Sequence, residues 1–398
     1  MRSRRGNRMR RPRIPPCMGR RFMGVPSLWV YWVAVHIAAR RVEMAREIEI
    51  VGAGLAGLVA GINLARQGHR VRIHEGREYM GGDLSYADST IMDVPAVKSD
   101  LGVDVEEALE PWTLTRAWAY GRKYEFGLPR GVEGFTVERG KGEHSLENVL
   151  YRQAQREGVE VLLGSRLSKQ DIKELPPGSI LATGLDREAF EAMDLPCRPF
   201  FCHMATGRGD PSRPSVIIYL DGFTREFGYY FQRGEAAGAL VFSVQRPLTD
   251  GEKDDFKTKL ATGDGIEFEH WDDRVASWAA WPLGSWSNRR LFQGDKILAG
   301  TLAGLISPVL LFGVNGALVS GKIAAIAVSD REAALREFKR LTPLYWPQFA
   351  FRKCREYLPH AVLKPVTRAL LATYDPDSLP YGMLFTLWPP GYRYRSGK

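Results

Sequence analysis

Three glycines and one carboxylate are the residues whose spacing most directly implies chemistry. Gly52, Gly54 and Gly57 stand in the run Gly-Ala-Gly-Leu-Ala-Gly, and Glu75 closes the next apolar stretch. In such a pattern the first glycine permits a tight turn. The second lets backbone approach a pyrophosphate, and the third lets helix and strand pack closely. Ala53, Leu55 and Ala56 lie between them and carry the N–H groups of a helix N-terminus, where the positive end of the dipole favours phosphate. Glu75 can accept hydrogen bonds from the ribose hydroxyls of an adenosine, and its charge disfavours a 2′-phosphate, so NADP is not expected here.

These residues need a strand, a helix and a second strand to hold them. Ile48, Ile50 and Val51 supply the first strand. Leu58, Ala60, Ile62, Leu64 and Ala65 predict a helix that stops near Gly68. The stretch from His69 to Glu75 reads as the second strand. The plainer alternative is a glycine-rich turn with no ligand, but strand, helix and acid all agree with a dinucleotide site.

Further segments bear on which dinucleotide is bound. Met80-Gly81-Gly82 follows Glu75 and Gly76 closely. Ser179 to Gly184 contains Ala182-Thr183-Gly184. Lys296 to Gly300 reads as a buried strand, and Gly313-Val314-Asn315-Gly316 opens a long apolar helix to about Ala327. In this order the segments resemble FAD-binding folds of the glutathione reductase structural class, and most of all the geranylgeranyl reductases. The resemblance spans about residues 45 to 330, specific at the first motif and loose elsewhere. It implies FAD as cofactor. Gly52, Gly54, Gly57 and Glu75 would hold the ADP half, with Gly76, Gly81, Gly82, Ala182, Thr183 and Gly184 nearby. Gly300, Thr301, Gly313, Val314 and Asn315 would hold the flavin end. The chain departs from the family at Thr301, where an aspartate normally holds the ribityl chain and a hydroxyl stands instead. Arg139 loosely matches the family's flavin-proximal arginine. The helix from Ser145 and the strand near Val159 to Val161 match those before the Ala-Thr-Gly turn. The aromatic run Tyr229, Tyr230 and Phe231 resembles the substrate-domain strands, although Gln232 replaces the expected proline.

Composition sets the remaining bounds. The 398 residues suffice for two domains, and 44% apolar with 25% charged residues is an ordinary globular balance. The net charge of +9 is not a nucleic-acid signature. Residues 1–43 hold eleven Arg, no Lys and one acid, a net +10, so the rest of the chain sums to −1. Within that extension an arginine-rich arm precedes the uncharged run Phe22 to Ala39, which contains Trp29, Tyr31 and Trp32. Three readings stand: a dispensable extension ahead of a start at Met44, a membrane anchor, or a targeting segment. Four cysteines do not make a disulfide scaffold, and Cys197 and Cys202 read as two buried structural thiols. The seven histidines show no metal-ligand spacing, so no metal is expected, and His74, His203 and His270 read as structural.

The expected fold class is α/β. A glutathione reductase-type, Rossmann-like FAD-binding domain (44–194 and 291–330) carries an antiparallel β substrate domain (195–290) and a helical C-terminal region (331–398). The segment Asp83 to Gly142 reads as irregular and wrapped around the cofactor. The tail aromatics Tyr345, Trp346, Phe349, Phe351 and Tyr357 fit either packing onto the body or a substrate-lid or membrane-surface role. Trp271, Trp278, Trp281 and Trp286 crowd one segment and could line an apolar pocket, with Tyr229, Tyr230 and Phe231 as further substrate candidates.

The resemblance implies an oxidoreductase that saturates isoprenoid or other hydrophobic C=C bonds with hydride from reduced flavin. Its partners would be a hydrophobic small molecule or lipid and an external electron donor, NAD(P)H or ferredoxin. A cytoplasmic location with peripheral membrane contact is expected, and no nucleic acid. Two alternatives stay open: an FAD-dependent monooxygenase using NAD(P)H and oxygen, and a non-catalytic relative that binds a dinucleotide or lipid.

Overall fold

The computed structural model describes residues 45–82, 85–113, 115–128, 133–280 and 290–375. The readings of residues 1–43 lie outside them. The fold described here belongs to the unit that begins at Arg46.

The apolar run at Ile48 becomes β1 (Glu47–Val51), the glycine run turns the chain, and α1 (Leu55–Arg66) returns it to β2 (Arg70–His74). Ile50 and Ile73 sit at paired register positions of this parallel pair and are fully buried. Every residue of α1 from Leu55 to Leu64 is buried, because the helix is covered on both sides.

The next segment holds β3 (Ser85–Met92), β4 (Leu109–Pro111), β5 (Thr115–Ala119), β6 (Arg122–Glu125) and β7 (Glu133–Gly140). It is not the irregular wrap that its prolines suggest. β3, β7 and β4 form an antiparallel three-stranded sheet, and β5 and β6 join the substrate-domain sheet. Period-two alternation is weak in strands that bury parts of both faces, so the segment reads as loop.

Helix α2 (Leu146–Arg156) is capped by Ser145, whose hydroxyl accepts from Asn148 N–H. It leads through β8 (Glu160–Leu162) and α3 (Lys169–Glu174) to β9 (Ile180–Leu181) and α4 (Arg187–Ala192). The substrate-domain strands follow: β10 (Arg198–Arg208), β11 (Val216–Tyr219), β12 (Gly228–Arg233) and β13 (Ala236–Ser243). Then come α5 (Asp250–Asp264), β14 (Asp272–Trp278), β15 (Phe292–Gln293) and β16 (Lys296–Leu298). The described residues close with α6 (Val314–Ser329), α7 (Arg331–Lys339), α8 (Thr342–Tyr357) and α9 (His360–Ala372).

The dinucleotide sheet has the order β15-β16-β9-β1-β2-β8, parallel except at β15–β16. Helix α6 covers α1 closely. A Cβ at Gly321 would lie 2.4 Å from the Ala56 carbonyl oxygen, so only glycine permits this approach. The larger sheet runs β14-β10-β13-β12-β11-β5-β6. It is mixed rather than antiparallel, since β11 pairs in parallel with β5. Its outer face is closed by α5 through Phe256 and Leu260, packed with Ile217, Tyr219 and Tyr230. Asp264 pins the end of α5 by accepting from Trp118 Nε1 and the Tyr219 hydroxyl, each at 2.8 Å, and it also pairs with Arg116. The inner face meets β3, which lies against β12 and β13.

Candidate functional site

The glycine turn is built by close backbone contact. Gly52 adopts φ +99°, and a Cβ there would stand 2.5 Å from the Ala182 carbonyl oxygen. A Cβ on Gly57 would stand 2.0 Å from the Gly52 carbonyl oxygen. Gly54 differs: nothing lies within 4 Å of the position its Cβ would take, and no side chain caps the helix it begins. Open space at an uncapped helix N-terminus is what a pyrophosphate requires.

Glu75 reaches this turn from the end of β2. Its carboxylate accepts from Ala53 N–H at 2.9 Å and from Arg77 N–H at 3.1 Å. A carboxylate has about four lone-pair sites, so acceptor capacity remains for a ribose. His74 is held by Glu49 and Ser165, each at 2.8 Å, which gives it a structural place beside the turn. Thr183 Oγ1 is buried with no hydrogen-bond partner, and its backbone abuts Gly52. An unsatisfied buried hydroxyl beside a phosphate-sized opening fits a polar ligand. Gly184 lies next to it with φ +65°.

The second half of the proposed cofactor set comes from distant sequence. Gly300, at φ +63°, donates its N–H to Ser320 Oγ at 2.7 Å, and a Cβ there would lie 3.5 Å from the Ala56 Cβ. The turn carrying Thr301 is therefore seated at the start of α1. Gly313 begins α6 with no side-chain cap. Asn315 stands at the same helix start. Its amide is engaged within the protein, donating to the Ile91 carbonyl at 2.8 Å and accepting from Thr90 Oγ1 at 3.1 Å. Val314 is buried in the core as well, so Gly313, Val314 and Asn315 can serve a cofactor through backbone N–H groups. Gly81 packs on β7, where a Cβ would collide with the Gly140 carbonyl at 1.9 Å, while Gly76 lies against Arg166 and Gly82 near Arg77.

Arg139 ends that strand in a buried charge cluster. It pairs with Glu147 at 2.7 Å and Asp88 at 3.3 Å. Burial opposes its charge, but Glu147, Tyr86 and Asp88 offset this and hold its pKa above the usual guanidinium value. Burial raises the Asp88 carboxyl and pushes the Tyr86 phenol up to about 12.

A cavity of about 140 Å³ opens between the inner face of the larger sheet, β3, the segment before α6 and the C-terminal helices. Its lining is almost wholly apolar, including Ile91, Ile218, Phe231, Phe312 and Leu371, with Arg355 as its one charged member among the described residues. Arg355 donates to Glu226 at 2.6 Å, and Arg352 meets the same carboxylate at 2.7 Å. Burial lowers the Arg355 pKa, opposed by Glu226.

Strand alternation divides the expected aromatic trio. Phe231 lines the cavity and Tyr229 packs on it with ring centroids 4.5 Å apart. Tyr230 points to the other face, where its hydroxyl donates to Gln232 Oε1 at 2.6 Å. It is not a cavity residue. Trp271 also lies outside the cavity, stacked at 4.8 Å on His203 in the outer layer, and the His203 Nδ1 meets Asp273 at 2.8 Å. Trp278 is buried beneath Arg352. Trp281 and Trp286 lie outside the described residues. Cys202 is buried, and burial pushes its thiol up to about 12, but Cys197 is exposed rather than buried. Trp112, Phe126 and Phe312 were not legible as cavity residues, because separate segments bring them together; Phe351, one of the tail aromatics open to a substrate-lid role, joins them.

Comparison with known proteins agrees with this geometry. Residues 48–124 match the family model described as FAD binding domain. No curated protein matches the sequence. Among solved structures, the fold is similar to that of a geranylgeranyl bacteriochlorophyll reductase-like protein from Thermoplasma acidophilum (TM-score 0.63, 14% identity, covering 88% of this chain and 98% of that one). It is also similar to 2-methyl-3-hydroxypyridine-5-carboxylic acid oxygenase in its tetrameric form (TM-score 0.57, 18% identity, 86% and 99% covered). A third is the Diels-Alderase PyrE3 of pyrroindomycin biosynthesis (TM-score 0.56, 14% identity, 85% and 80% covered). The glycine turn, Glu75 and the uncapped start of α1 thus belong to an FAD-binding domain, and FAD is the cofactor this chain takes.

Proposed function

We propose that the chain is an FAD-dependent oxidoreductase that reduces a C=C bond of an isoprenoid or other hydrophobic substrate. One observation carries the reading. The apolar cavity is walled by Val309, Leu310 and Phe312, which run directly into the Gly313–Asn315 start of α6, so substrate and the flavin end of the cofactor would meet at this wall. Bound FAD would supply the hydride chemistry, leaving the protein to bind, orient and exclude water. Ala53 and Glu75 would fix the adenosine half. Thr301 would offer its hydroxyl to the ribityl region, and the N-terminus of α6 would face negative charge on the cofactor. Phe231, Phe312 and Ile218 would hold an apolar chain dry.

The oxygenase among the fold neighbours favours a second reading, an FAD-dependent monooxygenase. The deciding experiment is to purify the full chain, identify the cofactor released on denaturation, reduce the holoprotein anaerobically and add polyunsaturated isoprenoid lipids. The reductase reading expects flavin reoxidation without oxygen and a product richer by one H2 per saturated bond. Reoxidation only in oxygen, with an oxygen atom gained by the product, would favour the oxygenase. A protein that holds FAD yet turns over neither way would favour the non-catalytic relative.

A further inference from the structure

The C-terminal helix pair has two apolar sides, and the cavity uses only one. Leu363 is buried, and Thr367, Leu370 and Leu371 of α9 line the cavity. The opposite arc of the same helix carries Ala361, Val362, Pro365, Val366 and Ala369, all exposed. Val362 is 40% and Val366 39% exposed, and Tyr357 at the end of α8 is 82% exposed. The outward face of a helix on a globular protein is ordinarily polar. From Tyr357 to Tyr374 the chain has no Asp or Glu, while Lys364 stands exposed beside the apolar arc.

We infer that this outward face of α9, with Tyr357, is a docking surface for a lipid bilayer. Three observations select a bilayer over a protein partner. Between Tyr357 and Tyr374 the charged side chains are Lys364 and Arg368, and the nearest carboxylate on the α8 side, Glu356, is already paired with Arg198 and Lys353, which leaves Asp375 past the end of α9 as the flanking acid and a cationic face toward anionic headgroups. The 13 residues of α9 are too few to cross a membrane but suit a helix lying in the interface, and among the described residues no helix is long and apolar enough to span. The other side of the same helix closes an apolar cavity, so the surface places that cavity next to the solvent in which an apolar ligand dissolves. Vesicle binding is read without turnover, so this inference and the reductase reading fail separately.

The test is co-sedimentation of the full-length holoprotein with vesicles of phosphatidylcholine alone and of phosphatidylcholine with phosphatidylglycerol. Binding to both is expected, tighter with the anionic lipid. V362E/V366E should lower the vesicle partition coefficient roughly tenfold while FAD content and thermal midpoint stay unchanged. V362W/V366W should raise it, which keeps the inference testable if the glutamates disturb folding. Failure of the wild-type protein to bind either vesicle would overturn it, as would tryptophan and glutamate variants that bind like the wild type. A wild-type dimer that V362E/V366E splits, without vesicle binding, would also overturn it and assign the face to a second copy.

Discussion

Two glycine-to-alanine substitutions three residues apart separate the architecture of the cofactor turn from its occupancy. In Gly57→Ala the new methyl would sit 2.0 Å from the Gly52 carbonyl oxygen and 3.4 Å from Ile50 Cγ2. An ordinary carbon–oxygen contact lies more than about 1 Å further out, so the turn and the first residues of α1 must separate by roughly that amount. Overpacking of this kind costs about 1–3 kcal/mol. The apoprotein should lose stability accordingly, and FAD should bind poorly because the N–H groups move with the helix. In Gly54→Ala the methyl meets nothing within 4 Å, and Gly54 already has φ −73°, which alanine adopts freely. The apoprotein should therefore keep its stability or gain slightly from the reduced freedom of its unfolded chain. FAD affinity should still fall at least about tenfold, or about 1.4 kcal/mol, because the methyl occupies space meant for the cofactor. The assay is chemical denaturation of both apoproteins, followed by FAD titration monitored by flavin fluorescence. Wild-type FAD affinity in Gly54→Ala would refute the placement of the pyrophosphate. Wild-type apo stability in Gly57→Ala would refute the close contact.

Other outcomes follow from the same structure. Glu75→Ala removes the acceptor for Ala53 N–H and for the ribose, so FAD affinity should drop about 10–100-fold by titration, with apo stability little changed. Leu371→Trp fills the cavity from α9; reduction of an apolar substrate should slow while the FAD-to-protein ratio in the purified protein stays at the wild-type value. Arg139→Met leaves buried Glu147 and Asp88 without their cation, and should destabilise the fold by about 3–5 kcal/mol near neutral pH. Asp88 already has a folded pKa raised by burial, and losing the arginine raises it further. A carboxyl raised in the fold is most favourable below its unfolded pKa of about 3.9, and that stability is lost as pH rises through the folded value. The gap in thermal midpoint between Arg139→Met and wild type should thus narrow as pH falls toward about 4; a gap that widens would refute the assignment.

The nucleotide half of the site was legible in the sequence because one local unit builds it. Gly52, Gly54, Gly57 and Glu75 belong to a single strand–helix–strand, whose spacing is imposed by the pyrophosphate and by the strand–helix contact. The alternation along Val216, Ile218 and Leu220 was also present in the sequence, but nothing local says which side of that strand faces a ligand. Tyr229 and Tyr230 look alike in one dimension and lie on opposite faces of a sheet in three. The placement of β5 and β6 in the larger sheet, the use of the Asn315 amide to tie β3 to α6, and the joining of Phe126, Ile218, Phe312 and Leu371 into one cavity were decided by tertiary structure alone. Local sequence fixes backbone geometry over a few residues. The identity of a cavity wall depends on contacts between segments more than fifty residues apart, and burial of apolar surface, being non-directional, leaves no spacing signature for them.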